Sequence, residues 1–337
     1  MDQKNIGAIF KLGLFYALCL LNMNCSAIKY KVSPEKISPE KVAILVTDSG
    51  LGGLSVAAYL EQLFREKPVV PQVEIIFVNA LYESGYGYNS MKSTAEKVTV
   101  FNTALQAFNA RFKPDMILIA CNTLSVIYPY TDFAKSGTKP TVFSIVDDGV
   151  TLMQEYLQQH PTGAVIITGT PTTVGQNTHR EKLLAAGFDS TRIVTQAFPT
   201  LESEIQDDPN SDMVQSLIEM YASECVDACP ENADKFGVAL FCTHYSYSIG
   251  YFQRIFSDLL NRPVTILNPN QGMAQTVFAR FGGNVKKSVV KLEVVSRVPI
   301  SEGERQNIGV LLAKTSPALT EALHDYQYDP DLFKINK

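Results

Sequence analysis

Met116-Ile117-Leu118-Ile119-Ala120-Cys121-Asn122-Thr123 and Val238-Ala239-Leu240-Phe241-Cys242-Thr243-His244-Tyr245 are two apolar runs that each end on a cysteine followed by hydroxyl, amide or imidazole groups. Short apolar runs closed by small polar residues read as buried strands of a parallel sheet. Open α/β sheets hold their ligands beyond the carboxyl ends of such strands, so both cysteines are expected at a ligand-facing edge. Outward from these runs the chain alternates strand and helix. Residues 42–46 form an apolar strand ending in Thr47-Asp48-Ser49-Gly50-Leu51-Gly52-Gly53. A glycine-rich turn of this kind, ahead of a helix over 55–64, aims backbone N–H groups at an anion. A strand over 73–78, a glycine- and tyrosine-rich loop over 82–89, a helix over 92–111, the Cys121 strand and a strand over 141–146 follow. The second half restarts with a strand over 164–168, the turn Gly169-Thr170-Pro171-Thr172-Thr173-Val174, a helix over 178–186 and the Cys242 strand. The expected fold is α/β, with two pseudo-symmetric parallel-sheet lobes and the active site in the cleft between them. Residues 41–145 plus 245–337 make the first lobe and 146–244 the second.

The 337-residue length suits about two domains, and 46% hydrophobic with 19% charged residues supports sizeable cores. A net charge of −5 leaves no basic footprint and argues against nucleic acid as a partner. The four histidines, at 160, 179, 244 and 324, have no metal-ligand spacing. The amino terminus reads as a separate object. Lys4 and Lys11 precede an apolar stretch over 12–21, too short to span a bilayer comfortably and matching the core of a signal peptide, with a plain cleaved signal or an uncleaved anchor helix as the blander reading. Cys25 follows closely, as in a bacterial lipoprotein signal, although the usual small residues before the cysteine are absent. Residues 1–25 are thus expected to be an export signal, with Cys25 the candidate lipidation site, membrane anchoring the partner interaction this implies, and a periplasmic or membrane-anchored location; a cytoplasmic location is the alternative. Residues 26–40, with their Ser-Pro-Glu-Lys repeat, read as a tether.

Taken together, Thr47-Asp48-Ser49-Gly50-Leu51-Gly52-Gly53, Gly85-Tyr86-Gly87, Ala120-Cys121-Asn122-Thr123, Gly169-Thr170 with Thr173-Val174, and Cys242-Thr243-His244-Tyr245 resemble the glutamate racemases of the cofactor-independent aspartate/glutamate racemase superfamily. The motifs run in the family's order from about residue 41 to about 285. The resemblance implies Cys121 and Cys242 as catalytic acid/bases, assisted by Asp48 and His244. It implies Ser49, Tyr86, Gly87, Asn122, Thr123, Thr173 and Thr243 as substrate-binding residues, a small amino-acid substrate, no cofactor and no metal, and it is compatible with a homodimer. The chemistry agrees: inversion at Cα takes a proton from one face and delivers one to the other, and a thiol/thiolate pair exchanges states after each turnover. A free thiol ionises at a pKa of about 8.5, so the site must favour thiolate on one side and thiol on the other.

Plainer roles compete with each assignment. A cysteine ending a buried strand is often a small hydrophobe, Asp48 could cap the next helix, and His244 could be a packed histidine. Cys225 and Cys229, spaced i, i+4 on one helix face, read as structural, and His179 and Asp147-Asp148 as solvated or capping. The chain also departs from the family. Phe198-Pro199 replaces Cys-Pro, Gln206 stands where the family has an assisting glutamate, Gly85 replaces the proline of Pro-Tyr-Gly, and Asp147-Asp148 replaces Glu-Pro. Three functions remain open: a glutamate racemase, a racemase of aspartate or another small acid, and a catalytically inactive, lipid-anchored binding protein.

Overall fold

The computed structural model describes residues 36–137 and 140–335. The expected signal segment 1–25, its Cys25 and most of the tether lie outside the described residues. The last residues of the tether already engage the body: Ile37 N–H donates to Arg280 O, and Ile37 O accepts from Gly282 N–H. Folded structure thus begins a few residues before the expected start at 41.

In chain order the elements are β1 (Lys41–Asp48), α1 (Leu54–Glu66), β2 (Gln72–Asn79), α2 (Thr94–Phe112), β3 (Met116–Ile119), α3 (Asn122–Ile127), α4 (Asp132–Lys135), β4 (Thr141–Ser144), α5 (Ile145–Gln159), β5 (Ala164–Gly169), α6 (Pro171–Gly175), α7 (Thr178–Ala185), β6 (Ile193–Ala197), α8 (Leu201–Asp207), α9 (Asp212–Val226), β7 (Phe236–Phe241), α10 (Ile249–Leu260), β8 (Val264–Leu267), α11 (Pro269–Phe278), β9 (Val289–Ser296), α12 (Glu302–Leu312), α13 (Pro317–His324) and β10 (Gln327–Tyr328). One sheet has the order β10-β9-β2-β1-β3-β4 and the other β6-β5-β7-β8. All pairings are parallel. The run β2-β1-β3-β4 repeats as β6-β5-β7-β8, which is the expected pseudo-symmetry; the carboxyl-terminal tail adds β9 and β10 to the first sheet only. Among the described residues no helix is long and apolar enough to cross a membrane.

Two sequence expectations shift. The strand expected over 141–146 stops at Ser144, whose side chain accepts from Val146 N–H and caps α5. Asp147 and Asp148 then fall in the first turn, where carboxylates favour a helix start. The return to the first lobe, expected at 245, falls later. β7 needs a neighbour on its open edge, and β8, reached through α10, supplies it, so the second sheet continues to Leu267.

The strand cores read as near-continuous apolar runs because both faces are covered. One buried cluster is common to both sheets, joining Leu45, Ile117 and Ile119 to Val165, Ile167 and Phe241. The outer face of the second sheet closes over an aromatic group in which Phe252 meets Tyr245 at 5.2 Å and Phe198 at 5.8 Å between ring centroids. Phe252 is fully buried and its neighbour Tyr245 lies three residues after Cys242. Phe252→Ala should cost about 3–5 kcal/mol in urea unfolding; a loss below about 1 kcal/mol would mean that this face of the lobe is not the packed core described.

Candidate active site

Each sheet reverses its strand order at one place, and each cysteine sits there. β2 and β3 flank β1 on opposite sides, which opens a crevice beyond the tips of β1 and β3. Asp48 and Ser49 leave β1 and Cys121 follows β3, with Ser49 Oγ 3.2 Å from Cys121 Sγ. The matching crevice of the second sheet lies beyond β5 and β7, where Thr170 and Cys242 emerge. Both crevices open to one cleft of about 420 Å³, lined by Ser49, Gly87, Cys121, Asn122, Thr123, Cys242 and His244 among others. The thiols are nearly closed off, with Cys121 6% and Cys242 7% exposed. Each is the residue before a helical turn, Cys121 before α3 and Cys242 before the 3₁₀ turn Thr243–Ser248. Backbone N–H groups of Leu124 and His244 therefore face the respective sulfurs and favour thiolate.

The remaining expected residues stand behind the cleft wall. Asp48 is buried and accepts from Thr243 Oγ1–H at 2.7 Å. Gly52 lets the first-lobe turn close on the Cys242 loop, because a Cβ there would lie 2.3 Å from Thr243 Oγ1 and 2.6 Å from His244 N. Thr173 sits in a hydroxyl cluster in which Thr123 Oγ1 lies 2.7 Å from Thr170 Oγ1 and 3.3 Å from Thr173 Oγ1. Tyr86 turns away, its hydroxyl donating to Glu96 Oε1 at the start of α2. Tyr88, its ring buried and its hydroxyl on Ala80 O, lines the cleft nearby.

His179, expected to be solvated or capping, is instead buried. It stacks on Phe241 at 4.0 Å between centroids, and its Nε2 lies 3.2 Å from Asn122 Oδ1. With Oδ1 engaged, Asn122 Nδ2 is a buried donor without a partner. Gln206 reaches the site from α8: its Oε1 accepts from Leu51 N–H at 2.8 Å and lies 3.0 Å from His244 Nε2. Glu202 and Glu304 also line the cleft. Neither carries a local sequence signal, since a glutamate in the first turn of a helix is ordinarily a solvated or capping residue. The four described cysteines, Cys121, Cys225, Cys229 and Cys242, are all unpaired. Among the described residues no group of three or more His, Cys, Asp or Glu is placed to hold a metal ion.

Burial dominates the electrostatics. It pushes the Cys121 thiol up to about 12, with the Asp48 charge adding and the Ser49 hydroxyl opposing. Cys242 is driven well above the usual thiol range by burial, then by the charges of Glu202, Cys121 and Asp48. His244 falls to about 4 through burial and is neutral at pH 7. Asp48 rises to about 7 by burial, partly offset by the Thr243 hydroxyl and by the amides of Ser49, Gly50 and Gly53. The site thus holds two neutral thiols beside a neutral imidazole.

The native state binds the Asp48 proton more tightly than the unfolded chain does. The stability this confers is full below the unfolded value of 3.8 and is lost as pH rises through about 7. Urea midpoints of the wild type should fall from pH 4 to pH 7 relative to those of Asp48→Asn, and parallel curves for the two proteins would overturn this assignment.

No protein-family model matches the chain. The glutamate racemase of Syntrophus aciditrophicus is 25% identical over 245 residues, covering 71% of this chain and 80% of that protein. That of Campylobacter jejuni is 27% identical over 219 residues, covering 63% and 77%. The crystal structure of glutamate racemase from Campylobacter jejuni superposes with a TM-score of 0.63 at 22% identity, over 80% of this chain and 98% of that one. The Francisella tularensis glutamate racemase solved with D-glutamate superposes with a TM-score of 0.61 at 18% identity, over 86% and 95%. The chain has the fold of the glutamate racemases, a group of isomerases, and is similar to them in sequence.

Proposed function

We propose that the protein is a cofactor-independent amino-acid racemase that interconverts L- and D-glutamate, with Cys121 and Cys242 as its two acid/base groups. The supporting observation is that two buried thiols, one from each lobe, open to a single cleft of substrate size. The thiolate of one cysteine removes the Cα proton, and the electron pair left behind is taken up by the substrate's α-carboxylate. The S–H of the other cysteine then protonates the opposite face. Thiol and thiolate have exchanged places, so the reverse reaction starts from the state the forward reaction leaves.

Burial keeps both thiols neutral, so a proton must first leave one of them. An α-ammonium entering the cleft lowers the cost of a nearby thiolate. His244 Nδ1, 3.7 Å from Cys242 Sγ, is placed to accept the proton on that side. Asn122 Nδ2, buried and unpartnered, is a ready donor to a substrate carboxylate. The names of the relatives, and the D-glutamate in the Francisella tularensis structure, support glutamate as the substrate.

A second reading keeps the machinery and changes the side chain. Glu202, whose Oε2 is buried without a partner, joins Asp207 and Glu304 in a lining whose charged members are all acidic. Such a lining favours an amino acid whose side chain is not a second anion. Export with a lipid anchor at Cys25 belongs to the same proposal and rests on the Lys-flanked apolar stretch ahead of it.

Reduced protein should racemise L- and D-glutamate, followed by circular dichroism, with solvent deuterium entering at Cα. Cys121→Ala or Cys242→Ala should each lower kcat by at least about 10²–10⁴-fold. Aspartate and glutamine, run in parallel, decide the side chain. Flat traces with all three amino acids would overturn the racemase assignment.

A further inference from the structure

Gln206 stands beside His244, and the structure brings a carboxylate in behind it. Gln206 Nε2–H donates to Glu304 Oε1 at 2.5 Å. Its amide oxygen thereby points inward, to Leu51 N–H and His244 Nε2. Glu304 is itself held in place: it is the third residue of α12, and its Oε2 accepts from Ser301 N–H at 2.7 Å in a capping box. α12 is fastened to α8 by Asn307 Nδ2–H donating to Asp207 O at 2.7 Å. A chain of contacts therefore runs from the start of α12 through Gln206 and His244 to Cys242.

Two neighbours compete for His244 Nε2. Gly52 N–H, 3.1 Å away, calls for a lone pair there, and Gln206 Oε1 calls for a proton. A carboxylate on the amide's N–H end increases the negative charge on Oε1, because hydrogen bonds in series polarise one another. That tips Nε2 towards carrying the proton and leaves the Nδ1 lone pair facing Cys242.

We propose that Glu304 is a positioning residue for catalysis: acting through Gln206, it sets the His244 tautomer so that Nδ1 can take the Cys242 proton, and the Gln206–Glu304 pair does the work of one carboxylate beside the imidazole. This rests on the racemase reading for its kinetic consequences but not for its structural one. Glu304→Gln removes the charge and keeps a capping-box residue in place. Gln206→Glu with Glu304→Gln returns a carboxylate directly beside His244.

The test is steady-state kinetics with L- and D-glutamate on wild type, E304Q and Q206E/E304Q, together with ¹⁵N spectra of His244 in the substrate-free proteins. In the direction that uses Cys242 as base, kcat of E304Q should fall about tenfold or more with KM within about threefold, and the double variant should regain most of it. The wild-type spectrum should show Nε2–H, and E304Q should move towards Nδ1–H. Because the two enantiomers have equal free energy, kcat/KM falls equally in both directions, and the readout is kcat in the direction that uses Cys242 as base: an E304Q enzyme with kcat unchanged there, no rescue in the double variant, or an Nδ1–H tautomer in the wild type would overturn the proposal. If no amino acid turns over, the racemase reading fails and the nitrogen spectra alone decide the role of Glu304.

Discussion

Asp48 and Thr243 meet in the interior at 2.7 Å, one from the tip of the first sheet and one from the loop after Cys242. A buried carboxyl without partners is costly, and the bond engages Oδ2 of Asp48, leaves its Oδ1 unpartnered, and ties the two halves of the site together. It depends on Gly52 having no side chain, since a Cβ there would lie 2.3 Å from Thr243 Oγ1. The placement of His244 against Gly52 N–H and of Cys242 at the cleft follows from this contact. The two crevices face one another because the glycine-rich turn and the Cys242 loop share this buried seam.

The seam also sets the protonation problem. The same burial that fixes the thiols raises their pKa values and lowers those of His179 and His244. A site of buried neutral groups is stable but unreactive, and charge has to arrive with the substrate. Asn122 Nδ2, Glu202 Oε2 and Asp48 Oδ1 are buried polar atoms of the site without a partner, and the first two belong to residues that line the cleft. Buried groups of this kind lose most when a bound molecule fails to meet them, which makes them the natural determinants of which amino acid is accepted.

The strands were legible because burial on both faces forces continuous apolar runs, and the paired cysteines because each run ends on one. The motif residues at 48–53, 121–123 and 242–244 converge as the pattern suggests. Tyr86 reads as a site residue but spends its hydroxyl on Glu96, while the neighbouring Tyr88 lines the cleft, because a turn of the 82–89 loop directs the second ring inward. Ile145 and Val146 are as apolar as a strand requires and read as two further residues of β4, although the strand ends at Ser144. Ser144 capping the helix outweighs that preference.

The sequence by itself determined the alternation of strand and helix, the two apolar runs that deliver thiols, and the glycine-rich turn. These depend on periodicity and local backbone preference, which act over a few residues. Tertiary structure alone decided that β8 completes the second sheet, that His179 leaves its helix face to hold Asn122, and that Glu304 stands behind Gln206. Contacts between residues tens to hundreds of positions apart leave no local trace, because each partner is individually compatible with an ordinary helix or loop. Only the packing of the sheets and helices brings these partners within hydrogen-bonding distance.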